Sequence, residues 1–388
     1  MKAREQQDTG LPSGGGRASL GIVRPTRVSS DVSPKFSIII RNWNYGCFLR
    51  DAIDSALAQT YDRTEVIVVD DGSTDESRTI LAEYGNRLCA VLKENGGEGS
   101  AVNAGFRAAT GDIILFLDSD DVLAPDAAAR VTALWNKDVT RIHFPLHAMG
   151  ADGTLLPRLH PPYRVPDLSL EEHLALFGQV ISGAQSCNAY AAWALRPILP
   201  LGEAAWYRSC DVYLNALTMA QGSTRLIHDP LGGYRFHANN LTLRNSLDVG
   251  VRERAVLFHP SIYEAVRSFV GDERWRAYRP RLPCYHWLHR FLSYRLNPSH
   301  PFKNDRFGQL VGHCITAVCR KPYSSLSRRV FLLAGLGASA VMPKSLLRRL
   351  LPSMLKLARS TSLPSARRRD PARHWRRVYG VEAAATSD

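Results

Sequence analysis

The sequence predicts an α/β protein in which a mostly parallel sheet is flanked by helices. Short apolar runs, typical of buried strands, alternate with segments whose apolar residues recur at helical spacing. Several of these runs end in carboxylates, and the carboxyl ends of strands are where open α/β sheets bind ligands. The 388 residues are enough for two domains or for one elaborated domain.

Four strands are predicted in the first part of the chain, at residues 36–40, 65–69, 89–92 and 113–117. Helical spacing predicts a helix after each of the first three, and Ser73 or Thr74 is suited to cap the second helix. This β-α-β-α-β-α-β order favours parallel pairing with right-handed crossovers. We therefore expect the strands to end at one edge of the sheet.

Acidic residues cluster at two of these strand ends. The run Asp118-Ser119-Asp120-Asp121 has three carboxylates in four positions, and such charges are best tolerated beside a cation or hydrogen-bond donors. Asp70 and Asp71 end another strand, and Arg41 and Asn42 end the first. An acidic turn or a helix cap would explain either cluster alone. Two clusters on one predicted edge favour shared ligand binding.

Residues 36–121 resemble the nucleotide-binding half of a family 2 glycosyltransferase with the GT-A fold. The similar segments are IIIRNWNYGCFL, VIVVDDGSTDES, ENGGEGSAVNAGFRAATGD and LFLDSDD, in the family's order and spacing. The resemblance weakens towards residue 240. It implies sugar transfer from a nucleotide-sugar donor to an acceptor hydroxyl, usually with Mg²⁺ or Mn²⁺. Arg41 departs from the proline or small residue common at its position, which leaves the details of the base pocket open.

The resemblance also implies roles for single residues on the donor side. Asp70 or Asp71 corresponds to the acid that contacts the base. Asp118 corresponds to the acid that faces the ribose and Asp120 to the metal ligand, while Asp121 supports the turn. The residues implied to bind the nucleotide sugar are Arg41, Asn42, Asp70, Asp71, Gly97, Glu98, Asn103, Asp118 and Ser119.

Two further residues carry implied roles on the acceptor side. The family places its general base at the start of a helix, usually as the second acid of a pair, and Asp211 corresponds to it while Cys210 replaces the first acid. A simple helix N-terminal acid is the alternative for Asp211. The segment YRFHANN resembles the family's closing Y-R-x-H, so His237 is implied to bind the metal or the diphosphate. Position alone places residues 182–186 on the acceptor side.

Other enzyme classes lack their motifs in this chain. The first βα turn has no G-x-G-x-x-G, which a dinucleotide-binding fold needs for close approach to the pyrophosphate. Neither a P-loop nor a G-x-S-x-G nucleophile elbow occurs.

Charge and cysteine content bear on location and partners. Residues 241–388 have 27 Lys and Arg against 9 Asp and Glu, within a net charge of +13 for the whole chain, which favours contact with anionic lipid or nucleic acid. No recognition motif accompanies the arginines of the tail, so nucleic acid is the weaker choice. The seven cysteines lack zinc-site and disulfide-framework spacings, and we expect a cytoplasmic protein.

The predicted organisation is a disordered leader at 1–34, a GT-A domain at 35–240 and a basic, mainly helical region at 241–388. Residues 330–342 are uncharged but too short to span a bilayer. They and the leucines that follow, to residue 351, form either a core helix or an element lying in the plane of an anionic membrane. The acceptor is expected to be a glycan or a lipid-linked molecule, in the synthesis of a cell-surface or secreted glycan.

Two other functional hypotheses remain open. One is a non-catalytic protein that binds a nucleotide sugar but has lost turnover, with Cys210 as the missing acid. The other is a polyanion-binding scaffold whose basic tail is the functional part.

Overall fold

The computed structural model of the protein describes residues 33–161, 165–202, 210–238, 240, 249–278, 280–298, 300–319 and 326–351. Most of the predicted leader, the residues around the predicted boundary at 240, and the arginine-rich end of the chain lie outside these residues. The domain boundaries therefore stay predictions.

A seven-stranded sheet forms the centre of the fold. Its strands are β1 (Phe36–Asn42), β2 (Thr64–Asp71), β3 (Cys89–Lys93), β4 (Ile113–Asp118), β6 (Val139–His143), β9 (Asn188–Ala191) and β10 (Ser223–Leu226). They lie in the order β10-β6-β9-β4-β1-β2-β3. Only β9 runs antiparallel to its neighbours, and the other pairs are parallel. The mostly parallel sheet and its first four strands are thus confirmed.

The register of the parallel strands brings the predicted polar strand ends together. Arg41 is paired with Asp118 on one side of β1, and Asn42 is paired with Asp70 on the other. Asp71 is paired with Lys93 on β3. All these residues therefore lie at the carboxyl edge of the sheet, as expected from right-handed crossovers.

A smaller sheet lies beside this edge. It contains β5 (Val122–Leu123), β7 (Leu146–Met149), β8 (Leu155–His160) and β11 (Gly232–Arg235), in the order β5-β11-β7-β8. Because β5 directly follows the acidic turn after β4 and pairs with β11, the chain beyond β11 arrives next to that turn.

Helices cover both faces of the central sheet. They are α1 (Gly46–Leu57), α2 (Ser77–Tyr84), α3 (Glu98–Ala108), α4 (Ala127–Ala133), α5 (Leu170–Leu176), α6 (Ala192–Leu195), α7 (Cys210–Met219) and α8 (Val249–Val270). One apolar cluster packs α1 and α2 on one face, and a second packs α3, α7 and α8 on the other. The cap predicted at Ser73 or Thr74 is wrong, because α2 begins at Ser77 after Glu76.

The remaining helices form a layer with its own core. They are α9 (Asp272–Ala277), α10 (Cys284–Leu296), α11 (Phe307–Cys319) and α12 (Leu326–Val341), and residues 344–351 are also helical. A third apolar cluster joins α10, α11, α12 and Leu347. The helical character predicted for this region is confirmed over the residues described. Among them, no helix is both long and apolar enough to cross a bilayer.

Candidate active site

Three carboxylates meet in the turn between β4 and β5. Oxygen atoms of Asp118, Asp120 and Asp121 lie within 4.8 Å of one another. Asp121 is buried, and the other two are partly exposed. The backbone N–H of Asp121 closes the turn by donating to the carbonyl oxygen of Asp118 at 3.0 Å, and Ser119 is buried within it. The acidic cluster predicted from the sequence therefore exists as a spatial cluster.

Burial, with help from neighbouring charge, raises the pKa of Asp118 and of Asp121. Burial raises the pKa of Asp118 to about 6; Arg41 opposes this shift, and the charges of Asp120 and Glu98 add to it. Burial and the neighbouring carboxylates also raise the pKa of Asp121. A divalent cation would relieve this repulsion, and carboxylate oxygens are ligands that Mg²⁺ and Mn²⁺ prefer. The donor set of the turn fits such an ion.

His237 reaches the acidic turn from the chain beyond β11. Its Nε2 lies 2.9 Å from Oδ2 of Asp120, and its ring packs against Tyr45 and Phe48. Asn240 supports this position by accepting the backbone N–H of His237 on its Oδ1 at 2.7 Å. The two metal-ligand candidates of the sequence, Asp120 and His237, are thus neighbours in space.

Arg235 fastens the same segment to the turn. Its backbone N–H donates to Oδ1 of Asp121 at 3.0 Å, and its Nε donates to the carbonyl oxygen of Asp120 at 2.8 Å. The guanidinium also pairs with Asp51 at 2.7 Å and lies over the ring of Phe48. Arg235 lies in the Y-R-x-H segment, but the sequence predicted no role for it. Its burial and these three polar contacts show that it holds the two halves of the site together.

Asp70 and Asp71 are both engaged within the protein, in different ways. Asp70 accepts hydrogen bonds from the Asn42 side chain at 3.2 Å and from Nε of Arg78 at 2.9 Å. Asp71 accepts the backbone N–H groups of Gly96 at 3.0 Å and Gly97 at 2.7 Å. Asp71 therefore fixes the loop before α3. Asp70 instead links the ends of β1 and β2 to the start of α2.

Gly97 occupies a position that other residues rarely adopt. Its φ is 82°, in the region where a Cβ is unfavourable. With its N–H on Asp71, it directs the chain into α3 so that Glu98 begins the helix. The glycine thus lets the chain turn into α3 at Glu98.

Arg41 is a buried cation at the centre of a charge cluster. Its Nη1 donates to Oε1 of Glu98 at 2.8 Å, and its Nη2 donates to Oδ1 of Asp118. Burial lowers the pKa of Arg41, but these two carboxylates outweigh it and hold the pKa well above its usual value. The Sγ–H of Cys210 donates to the same Glu98 oxygen at 3.1 Å. One guanidinium thereby joins β1, β4, α3 and α7.

Asp211 lies in the first turn of α7, next to this cluster. Burial, followed by the charge of Glu98, raises its pKa to about 7. The carboxylate therefore takes up a proton near neutral pH, which suits a group that must accept a proton from a hydroxyl. The structure places Asp211 where the charge of Asp118 also acts on it.

Asn103 and Ser186 occupy positions outside the acidic turn itself. The side-chain N–H of Asn103 donates to the carbonyl oxygen of Leu201 at 2.9 Å, and its side-chain oxygen accepts the backbone N–H of Leu201 at 2.7 Å. Ser186, in the segment placed on the acceptor side, accepts the backbone N–H of Asp118 on its Oγ at 3.0 Å. Asn103 thus anchors the chain near Leu201, whereas residues 182–186 border the acidic turn.

Trp43 is a further candidate that sequence reasoning missed. It directly follows β1, and 52% of its surface is exposed beside the end of the strand. Its position, a large aromatic residue directly after a predicted buried strand, could have indicated from the sequence a surface on which a ligand stacks.

Residues 37–189 match the family model described as glycosyl transferase family 2. The chain carries a family 2 glycosyltransferase domain. The matched residues include β1 to β4, the acidic turn and the segment 182–186, whereas Asp211 and His237 lie beyond them.

Two curated relatives of this family 2 domain are themselves named uncharacterized glycosyltransferases. A protein of Nostoc sp. is 33% identical over 216 residues, which are 53% of this chain and 66% of that protein. A protein of Rickettsia prowazekii is 48% identical over 105 residues, which are 27% of this chain and 33% of that protein. The chain thus spans just under two thirds of the first relative and one third of the second.

Solved structures also resemble the protein. The crystal structure of S. aureus TarS 1–349 in complex with UDP-GlcNAc is similar with a TM-score of 0.48 and 18% identity. The similarity covers 89% of this chain and 92% of that chain.

Together, the residues in and beside the family 2 domain offer three kinds of chemistry. Asp118, at the end of β4 and partly exposed, can accept hydrogen bonds from hydroxyls. The acidic turn with His237 can hold a cation. Asp211 can accept a proton near neutral pH.

Proposed function

We propose that the family 2 domain transfers a sugar from a nucleotide-diphosphate sugar to an acceptor hydroxyl, with inversion at the anomeric carbon and with the help of Mg²⁺ or Mn²⁺. The observation that carries this proposal is the contact of 2.9 Å between His237 and Asp120 in the acidic turn. The contact shows that an imidazole lies beside a carboxylate cluster at the carboxyl edge of the sheet.

The donor would lie along the edge formed by β1, β2 and β4. Asp118 is partly exposed and supplies an acceptor for ribose hydroxyls. The base would lie near Asp70 or Asp71, where the exposed ring of Trp43 offers it a flat surface. Asp120 and His237 would hold the cation, which neutralises charge on the diphosphate as it leaves. Arg41 keeps Asp118 in place and adds positive charge to the same edge.

Inversion follows from a single displacement. The acceptor oxygen forms a bond to the anomeric carbon while the bond from that carbon to the diphosphate oxygen breaks. Asp211 takes the proton of the acceptor hydroxyl, and the nucleoside diphosphate leaves with the electron pair of the broken bond. The raised pKa of Asp211 matches this task, since a base is most useful when its pKa lies near the working pH.

The acceptor would be a glycan or a lipid-linked molecule of a surface polysaccharide pathway, approached at the cytoplasmic face of the membrane. Residues 182–186 border the acidic turn through Ser186, which supports their place on the acceptor side. The basic C-terminal region supports action near an anionic surface.

Donor hydrolysis tests the proposal. UDP-, GDP-, dTDP- and CDP-sugars are screened for binding by thermal shift with Mn²⁺, and turnover of the best donor is measured with and without EDTA. We expect turnover to need the metal, Asp120→Asn to abolish it, and His237→Ala to weaken the apparent metal affinity about 10- to 100-fold. Metal-independent turnover, or full activity of Asp120→Asn, would overturn the proposal. Donor binding without hydrolysis or transfer would favour the non-catalytic alternative.

A further inference from the structure

The outer surface of the C-terminal helices is unusually apolar. Of the eleven large apolar side chains that the described residues expose, six lie between residues 307 and 350. They are Phe307, Ile315, Val330, Val341, Leu346 and Leu350. We call Val330, Val341 and the exposed small residues between them on α12 the C-terminal apolar face.

The exposed positions of α12 form one stripe along the helix. Val330, Ala334, Gly337, Ala338 and Val341 are all exposed, and their spacing places them within about one third of the helix circumference. The opposite side of α12 packs Leu336 into the core shared with α10 and α11. A helix that is apolar on both its buried and its exposed side is typical of a protein interior or a membrane contact.

The charge around this face has one sign. Between Asp305 and Asp370 the sequence has thirteen Lys and Arg and no acidic residue. Lys344 and Arg349 are exposed next to Leu346 and Leu350. A basic surface that also exposes apolar side chains is typical of proteins that lie on anionic lipid.

The same charge pattern argues against the other ways of covering the face. A second copy of the chain would bring an equally positive surface against it, and like charges at an interface are unfavourable. The chain's own residues 352–388 are basic as well. Nucleic acid would match the charge but not a stripe of Val, Ala and Gly, because single strands are bound by stacking on aromatic rings.

We propose that the C-terminal apolar face docks on an anionic bilayer surface, with α12 lying in the plane of the headgroups. Val330 and Val341 enter the boundary between headgroups and acyl chains, and Lys344 and Arg349 bind lipid phosphates. An attachment that rests on a shallow apolar stripe and on basic residues is reversible and depends on salt. This docking is independent of the proposed transfer reaction.

Vesicle flotation of the full-length protein, without donor, tests the docking. Vesicles of phosphatidylcholine alone are compared with vesicles that also contain phosphatidylglycerol, at low and at high salt. We expect flotation only with the anionic vesicles at low salt. Val341→Asp should weaken vesicle binding at least about tenfold. The double variant Lys344→Glu and Arg349→Glu should weaken vesicle binding by more than about fivefold for each residue replaced.

Matched variants separate the face from general effects. Leu155→Asp changes an exposed leucine on β8, and Lys137→Glu changes an exposed lysine outside the region; both should float like the wild type. Donor binding measured on the same preparations verifies folding, since none of these residues lies in the site. The proposal is overturned if the protein fails to float with anionic vesicles at low salt, or floats equally with neutral ones. It is also overturned if Val341→Asp floats like the wild type. The same holds if the wild type forms a dimer without lipid and Val341→Asp dissociates that dimer.

Discussion

Replacing Asp211 by Asn should abolish transfer and at the same time stabilise the protein at alkaline pH. The two side chains have nearly the same shape, so the change removes the charge and the ability to accept a proton but little packing. Donor binding should remain, because the residues at the ends of β1, β2 and β4 are untouched. Loss of turnover with intact donor affinity is the signature of a base that acts only on the acceptor.

The size of the stabilisation follows from the pKa of Asp211, which burial and then Glu98 raise from 3.8 to about 7. The folded protein holds this proton more tightly than the unfolded chain, so its stability falls as pH rises from about 4 to about 7. At about 1.4 kcal/mol for each pH unit, the loss above pH 7 is at most about 4 kcal/mol. Because Asp211 keeps some contact with solvent, about 2 kcal/mol is a better expectation.

The assay compares unfolding temperatures of metal-free protein at pH 5 and pH 8. A gain of about 2 kcal/mol corresponds to roughly 3 °C for a chain of this size. Asp211→Asn should show this gain at pH 8 and much less at pH 5. Asp229→Asn is the control, since Asp229 forms an exposed ion pair with Arg130 and should change stability by less than about 1 kcal/mol at either pH. Unchanged transfer, or an equal gain at both pH values, would refute the reasoning.

Two further substitutions test the surroundings of the site. Arg41→Met removes the cation shared by Asp118 and Glu98. It should lower the free energy of unfolding by at most about 3 kcal/mol in denaturant titrations, since both acids retain some exposure. Adding Glu98→Gln should restore part of the lost stability, and strictly additive losses would contradict a coupled cluster. Asn103→Ala leaves the backbone of Leu201 without two hydrogen bonds and should lower the free energy of unfolding by about 1–3 kcal/mol. Donor affinity by calorimetry should stay unchanged in Asn103→Ala, and its loss would favour the nucleotide contact implied by the family resemblance.

The predictable part of the fold is the part dominated by local pattern. Apolar runs that alternate with helical spacing specify β1 to β4 and their helices, and parallel pairing then fixes where Asp70 and Asp118 must lie. Two-residue and four-residue strands such as β5 and β11 carry too little pattern to be recognised. The meeting of His237 with Asp120 depends on these short strands, so from sequence it rested on family resemblance alone.

Contacts between distant segments account for what the sequence analysis missed. Ser73 has the side chain of a helix cap, but its hydroxyl instead accepts the backbone N–H of Asn44 at 2.9 Å, because the loop after β1 lies beside it. The amide of Asn103 exchanges hydrogen bonds with the backbone of Leu201, a contact that local pattern does not predict, and its nucleotide contact stays a prediction. The convergence of Arg41, Glu98 and Cys210 likewise depends on tertiary packing.

This convergence connects the two sides of the site. Arg41 contacts Asp118 on the proposed donor side and Glu98 on α3, and Glu98 contacts Cys210 beside Asp211, the proposed base. Asp118 and Glu98 both raise the pKa of Asp211, so the value of about 7 belongs to the protein without a cation. Positive charge bound at the acidic turn must lower it, because it offsets the carboxylates that hold the proton on Asp211. In the proposed mechanism, a cation bound on the donor side would therefore raise the fraction of Asp211 that is free to accept the hydroxyl proton.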